Sequence, residues 1–316
     1  MSAAGAQRVV LITGYAGFSG RHLVSHLRRN EAALRIVGFD VCPADIGGVD
    51  QHIAGDLLQF GAISAAVDAC RPDAIIHLAG RTPPASDADL WAANVGATFN
   101  LLEAVRQAGL QPRILVIGSA AEYGPAQAPL ISEEHPCRPT TAYGRSKLAQ
   151  TLLCQHYGAR FTLPIVIART FNLFGPGMPP RTVIGELCAQ IAASPSGGVL
   201  RVGDVSGARD FIDVRDAAAL YWALACRGMP GQVYNVCTGR ATVIRDLLHL
   251  LLAVAGASYR IESQAERFRE GDVRHSCGDC TKLLQVAGIR PQLPLLDSLR
   301  DTLADFRRRP PPCAGQ

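Results

Sequence analysis

A chain of 316 residues with 48% apolar and 18% charged residues suits one large or two unequal folded units and is too apolar to be disordered. Its net charge is only +4 and its interior has no block of Lys or Arg, which argues against a nucleic-acid partner. The richest apolar stretch, Leu247 to Ala257, contains His249 and falls well short of the about 20 residues that span a bilayer, so no membrane partner is expected. The N-terminus runs straight into a strand-like segment, without the apolar core or cleavage site of a secretory leader. Ten cysteines are scattered, several of them in apolar runs (Cys154, Cys188, Cys226, Cys237). They read as small buried hydrophobes of a cytoplasmic protein, not as a secreted disulfide frame. Cys277-x-x-Cys280 has only His275 nearby and lacks the further ligands of a zinc site, so no metal is expected.

In chain order, Arg8 to Thr13 (RVVLIT) is a continuous apolar run that suits a strand covered on both faces. Leu23, Val24 and Leu27 follow at helical spacing, with Arg28 and Arg29 closing the last turn. Leu34 to Asp40, Ala74 to Ala79 and Ile114 to Ile117 are further short strands. A helix is expected over Ala92 to Ala108 and another over Ser146 to Tyr157, followed by a strand over Ile165 to Ala168. This alternation predicts an α/β fold with a doubly wound parallel sheet. After Phe174 the loop Gly175 to Pro180 marks a probable edge of the first unit. Helices are expected over Val183 to Ala193 and Thr242 to Val254, and a strand over Gln232 to Val236. Arg307 to Arg309 and the prolines after them read as a frayed tail.

The first strand-like run opens into Gly14-Tyr15-Ala16-Gly17-Phe18-Ser19-Gly20 and then a helix. A glycine loop in that position cradles a pyrophosphate. Gly14 permits the tight turn, Gly17 lets the backbone approach the ligand, and Gly20 lets helix and strand pack closely. Asp40 ends the second strand, 20 residues after Gly20. A carboxylate there accepts hydrogen bonds from a ribose 2′-OH and repels a 2′-phosphate, which favours NAD(H), with NADP(H) as the alternative. Asp56 and Leu57 follow the third strand-like segment, where Asp56 either bonds an adenine amino group or caps its own loop.

Tyr143-Gly144-Arg145-Ser146-Lys147 places a phenol and an ammonium at i and i+4 of a helix, on one face. An ammonium beside a phenol is expected to lower the phenol pKa, readying Tyr143 to move a proton at a carbinol or carbonyl oxygen. Ser119 closes the fourth strand, where its hydroxyl could bond the same oxygen.

With these pieces in this order, the chain resembles the extended short-chain dehydrogenase/reductase family. Further matching pieces are His77-Leu78-Ala79-Gly80, Asn94 to Thr98, Arg169 to Asn172, Arg209 to Val214, Tyr234 to Val236 and Arg269 to Val273. The resemblance implies a Rossmann domain for a nicotinamide cofactor and a smaller, mixed C-terminal domain for a nucleotide-diphosphate sugar. It implies a discontinuous division, residues 1–173 and 208–241 in the first and 174–207 and 242–316 in the second. Ser119, Tyr143 and Lys147 carry over as catalytic, with Tyr143 and Lys147 also touching the cofactor. Gly14, Gly17, Phe18, Gly20, Asp40, Asp56, Leu57, Leu78, Ala79, Gly80 and Asn94 carry over as cofactor-binding, although Asn94 also reads as a tie between helix and sheet. Arg81, Ser119, Asn172, Arg209, Arg269 and Asp272 carry over to the sugar nucleotide, the arginines as clamps on its diphosphate. A homodimer through two helices per subunit is also implied.

The family carries out epimerisation, dehydration, decarboxylation and 4-keto reduction. Its dehydratases and decarboxylases resembling this chain need acid residues where this sequence has Ala120 and Ala121, and methyl groups cannot move a proton. Glu122 is adjacent but, by strand alternation, points away from Ser119. The segments 118–124, 169–177, 208–216 and 234–239 are most similar to the GDP-6-deoxy-4-keto-hexose reductases that form GDP-D-rhamnose. The expected activity is therefore 4-keto reduction, with a 4-epimerase as the alternative and a non-catalytic NAD-binding scaffold as a remote one. Ala121 and the loop Met178 to Arg181 depart from that reductase pattern.

Overall fold

The computed structural model describes residues 7–42, 44–126, 128–264 and 273–309. Its strands are β1 (Val9–Thr13), β2 (Arg35–Asp40), β3 (Gln51–Ala54), β4 (Ala74–His77), β5 (Arg113–Ser119), β6 (Ile165–Thr170), β7 (Asn172–Phe174), β8 (Gly198–Val202), β9 (Ala208–Asp213), β10 (Val233–Val236), β11 (Ala241–Val243), β12 (Tyr259–Ser263) and β13 (His275–Ser276). Its helices are α1 (Phe18–Asn30), α2 (Phe60–Cys70), α3 (Asp87–Trp91), α4 (Ala97–Gln107), α5 (Ala142–Phe161), α6 (Val183–Ala193), α7 (Val214–Arg227), α8 (Ile244–Ala255), α9 (Thr281–Ala287) and α10 (Leu295–Arg308).

Seven strands form one parallel sheet in the order β10-β6-β5-β4-β1-β2-β3. Chain order reverses between β1 and β4, and in such sheets the ligand crevice opens at the C-terminal ends of the strands flanking that point. The continuous apolar runs are explained by burial on both faces. Val10 and Ile12 pack on one side with Leu23, Val24 and Leu27 of α1 and with α7. Leu11 packs on the other with Ile63 and Val67 of α2, Leu101 and Val105 of α4, and Cys154 of α5. Each such buried aliphatic side chain contributes about 1.5–3 kcal/mol, so the frame that positions the strand ends is held from both faces.

The predicted helix over Ala92 to Ala108 is interrupted. Residues Ala92–Gly96 form one π-helical turn between α3 and α4, and Asn94 sits in it fully buried. Such a turn inserts a residue into the helix and is frequent at functional sites. The predicted helix over Thr242 to Val254 starts later, at Ile244, because Ala241–Val243 pairs antiparallel with β9.

The smaller sheet contains β11, β9 and β13, with β7 also paired to β9. Ala208–Asp213 therefore pairs outside the seven-stranded sheet, whereas α7 and β10, which follow it, pack on or join that sheet. A separate apolar cluster, with Leu187, Leu200, Leu247, Leu251 and Leu303, unites α6, β8, α8 and α10. No described helix is long and apolar enough to cross a membrane.

Candidate active site

The glycine loop lies at the C-terminal end of β1 and the N-terminal end of α1. Gly14 adopts φ +74°, and a Cβ there would lie 2.7 Å from the Ala79 nitrogen. A Cβ on Gly20 would lie 2.4 Å from the carbonyl oxygens of Gly14 and Tyr15, so only glycine lets α1 start this close to the loop. Gly17 is the N-cap of α1 and offers no side-chain cap, and the first turn, which begins with Phe18, holds no acidic residue. The N–H groups and positive end of the helix dipole are thus left for an anion. Asp40 stands beside them at the end of β2, its Oδ2 accepting the Ala16 N–H at 3.2 Å and its Oδ1 accepting the Cys42 N–H. A glycine cradle that any Cβ would fill, with a carboxylate at its rim, fits the phosphates and ribose of a dinucleotide.

The neighbouring residues form the opposite wall. Leu78, Ala79 and Gly80 follow β4, and the Leu78 N–H donates to Thr13 O. A Cβ on Gly80 would lie 2.7 Å from Asn94 Oδ1. Asn94 Oδ1 accepts the Arg81 N–H, and its Nδ2 donates to Arg81 O and to Ser146 Oγ. Asn94 therefore ties the loop after β4 to α5. Asp56 Oδ1 accepts the Leu58 N–H, which caps its own loop, and the Leu57 carbonyl is held by Asn100.

Ser119, Tyr143 and Lys147 meet at the end of β5. Thr141 caps α5 by accepting the Gly144 N–H at 3.0 Å, which places Tyr143 in the first turn. A Cβ on Gly144 would lie 2.5 Å from Ala121 O, so this glycine lets α5 start against the turn that follows Ser119. Ser119 Oγ accepts the Ala121 N–H, and its hydroxyl lies close enough to the Tyr143 phenol to pull that pKa down. Lys147, one turn on and buried, donates from Nζ to Ile117 O at 2.6 Å and to Gln150 Oε1.

Two expectations change here. The phenol of Tyr143 is raised, not lowered. Burial drives it up, the Ser119 hydrogen bond opposes the rise, and the Glu122 charge adds to it. Burial in turn pulls the Lys147 ammonium down to about 8, against the opposing pull of Glu122 and Cys154. Glu122 also does not point away from Ser119. Strand alternation ends at Ser119, and the short helical turn Ala120–Glu122 brings the carboxylate back. Glu122 Oε1 accepts the Ser119 N–H at 2.9 Å, and Oε2 accepts Thr151 Oγ1 and Arg169 Nε, both at 2.8 Å. Gly118 makes room for this carboxylate, since a Cβ there would lie 2.6 Å from Oε1. Arg169 is itself buried, with its guanidinium 4.8 Å from the Tyr123 ring centroid.

Of the expected sugar-nucleotide residues, Asn172 donates from Nδ2 to Asp210 O, which brings it beside Arg209. Arg209 Nη1 donates to Ala208 O. The Arg81 side chain is exposed and lies 3.7 Å from Asp89, the geometry of a surface ion pair. Arg269 and Asp272 lie outside the described residues. Among the described residues, no group of three or more His, Cys, Asp and Glu is arranged to hold a metal ion. Sequence reading missed Gln150, Thr98 and Gly144 as parts of the site. Only Gln150 left a local signal, at i+3 from Lys147 on the same helix.

Residues 10–237 match the model of the NAD dependent epimerase/dehydratase family. The chain belongs to that family. GDP-6-deoxy-D-mannose reductase of Pseudomonas aeruginosa is 34% identical over 309 residues, covering 95% of this chain and 97% of the relative. UDP-glucose 4-epimerase of Mycolicibacterium smegmatis is 28% identical over 325 residues, covering 95% of this chain and 98% of the relative. The structure of RMD from Pseudomonas aeruginosa complexed with NADPH has a TM-score of 0.82 and 31% identity, covering 95% of this chain and 99% of that one. The resemblance to extended short-chain dehydrogenases/reductases read from the motifs thus holds, with similarity over 95% of the chain, and the family fold accounts for the seven-stranded sheet.

Proposed function

We propose that this protein is an NAD(P)H-dependent 4-keto reductase acting on a nucleotide-diphosphate 6-deoxyhexulose. The observation that carries the choice among family reactions lies in residues 120–122. Ala120 and Ala121 offer no proton donor, and the one carboxylate, Glu122, is committed to Ser119, Thr151 and Arg169. No acid is left in that turn for elimination of water from the sugar, which disfavours dehydration and leaves reactions that need only hydride and proton exchange at C4. The similarity to GDP-6-deoxy-D-mannose reductase supports a GDP-linked sugar.

The nicotinamide ring, when bound, supplies hydride to C4 of the sugar. Tyr143 gives its phenolic proton to the C4 oxygen, and Ser119, beside that phenol, directs its O–H to polarise the same oxygen. Lys147 holds a ribose hydroxyl and stabilises the phenolate left behind. Gly14, Gly17, Phe18 and Gly20 hold the cofactor pyrophosphate, Asp40 the adenosine ribose, Asp56 and Leu57 the adenine, and Leu78 to Gly80 the opposite wall. Asp40 favours NADH, while the NADPH named for the similar RMD structure keeps NADPH as the alternative. By the family resemblance, Asn172, Arg209, Arg81, Arg269 and Asp272 are the residues assigned to the sugar nucleotide. A homodimer through α4 and α5 fits the exposed Phe99 of α4 and Leu152 of α5, whereas Leu101 is buried in the subunit core.

A 4-epimerase is the second reading, favoured by the same Asp40 and by the similarity to UDP-glucose 4-epimerase. An epimerase retains NAD⁺ as a recycled oxidant, and a reductase exchanges its cofactor each turnover. Protein purified without added cofactor and then denatured is expected to release far less than one equivalent of NAD⁺. Release of one equivalent per chain would favour the epimerase.

A further inference from the structure

A buried chain of neutral groups ends on Lys147. Lys147 Nζ donates to Gln150 Oε1, and Gln150 Nε2 donates to Thr98 Oγ1 at 2.7 Å. Thr98 Oγ1 donates its only proton to Asn94 O at 2.7 Å. His77 Nε2 lies 2.9 Å from that same hydroxyl, so it must be the protonated nitrogen of the ring. His77 Nδ1 then accepts from Thr13 Oγ1 at 2.7 Å, which leaves the imidazole neutral. Burial is the main cause that drives the His77 pKa down to about 3, with the Lys147 charge acting in the same direction. These assignments also fix the Gln150 amide, with its NH₂ on Thr98 and its carbonyl on Lys147.

The ammonium has three N–H bonds. Two are committed, to Gln150 and to Ile117 O, and both partners are uncharged. The titratable groups facing Lys147 come from other directions; of those named next only Glu122 is charged, while burial keeps the Cys154 thiol and the His77 imidazole neutral. Glu122 approaches from the turn after β5 and is shared with Arg169 of β6; Cys154 approaches from α5 itself and His77 from β4.

We infer that Gln150 is a positioning residue for Lys147, its amide carbonyl fixing the ammonium from behind so that the remaining N–H serves the cofactor ribose and the phenol side of the cleft. The inference rests on the role proposed above for Lys147. An amide at this point holds the ammonium without adding charge, so Lys147 stays poised near neutrality. A carboxylate there would hold it charged, and an aliphatic side chain would release it.

The test compares Gln150→Glu, Gln150→Leu and Lys147→Ala in kcat, KM for the sugar nucleotide and the pH profile of kcat. Gln150→Leu is expected to lower kcat by about 10- to 100-fold with little change in that KM. Gln150→Glu keeps an acceptor of the same size on Lys147 while giving up the donor to Thr98 Oγ1. It is expected to lower kcat less than Gln150→Leu does and to move the alkaline limb up by about 1–3 pH units, as an opposite charge at this range does. If the leucine variant does not fold, the glutamate variant carries the test through that shift. Wild-type kcat and pH profile in the Gln150 variants, with Lys147→Ala inactive, overturns the inference alone. Wild-type kcat in Lys147→Ala overturns the role of Lys147 on which it rests.

Discussion

Tyr143→Phe is expected to lower kcat by about 10²- to 10⁴-fold, the usual weight of a positioned general acid. NAD(P)H affinity is expected to stay within about twofold, since the phenol oxygen is the only atom removed and uniform binding is left intact. The reason lies in the local build of the site. Tyr143 stands in the first turn of α5 because Thr141 caps that helix, and it reaches Ser119 because Gly144 lets the helix start against Ala121. The phenol keeps its proton because burial raises its pKa, which suits a group that must donate to an alkoxide. Steady-state rates and a fluorescence titration with NAD(P)H separate the two effects. A variant that keeps most of its kcat would remove Tyr143 from the reaction.

Glu122→Gln is expected to lower stability by about 3–5 kcal/mol, the cost of leaving a buried charge without its partner. Arg169 has 5% and Glu122 0% side-chain exposure, so water cannot replace the lost carboxylate. The glutamine amide also presents donor hydrogens to donors. The carboxylate now accepts from Ser119 N, Thr151 Oγ1 and Arg169 Nε, and one amide oxygen cannot serve all three. Because the Ser119 backbone is one of those donors, kcat should fall together with stability. Urea unfolding read as a shift of midpoint, together with kcat, checks both. A variant with wild-type midpoint and rate would show that the buried pair neither holds the fold nor fixes Ser119.

The parallel sheet was legible because its strands are buried on both faces and therefore read as continuous apolar runs. The glycine loop and the Tyr143/Lys147 pair were legible because their meaning lies in local spacing. What escaped depends on contacts between residues far apart in the chain. Glu122, in the turn after β5, meets Arg169 of β6, and Gln150 meets Thr98 between two helices. No periodicity in either segment marks the other. The expected lowering of the Tyr143 pKa failed for a similar reason. Spacing along a helix suggests a Lys147 effect, but the phenol is governed by burial, which only the folded chain supplies, with Ser119 lowering and Glu122 raising its pKa. The π-helical turn at Asn94 was hidden within a stretch whose apolar pattern is helical on both sides.

The most direct measurement is the fate of the cofactor during turnover. Purified protein is mixed with a GDP-4-keto-6-deoxyhexose and NADH or NADPH carrying deuterium at C4 of the nicotinamide, and absorbance at the reduced-nicotinamide band is followed with mass analysis of the sugar. A reductase oxidises one equivalent of reduced cofactor for each sugar consumed, and the product carries one deuterium at C4 when the labelled face is the transferred one. No net loss of reduced cofactor, with the 4-keto sugar recovered unchanged and unlabelled at C4, contradicts 4-keto reduction.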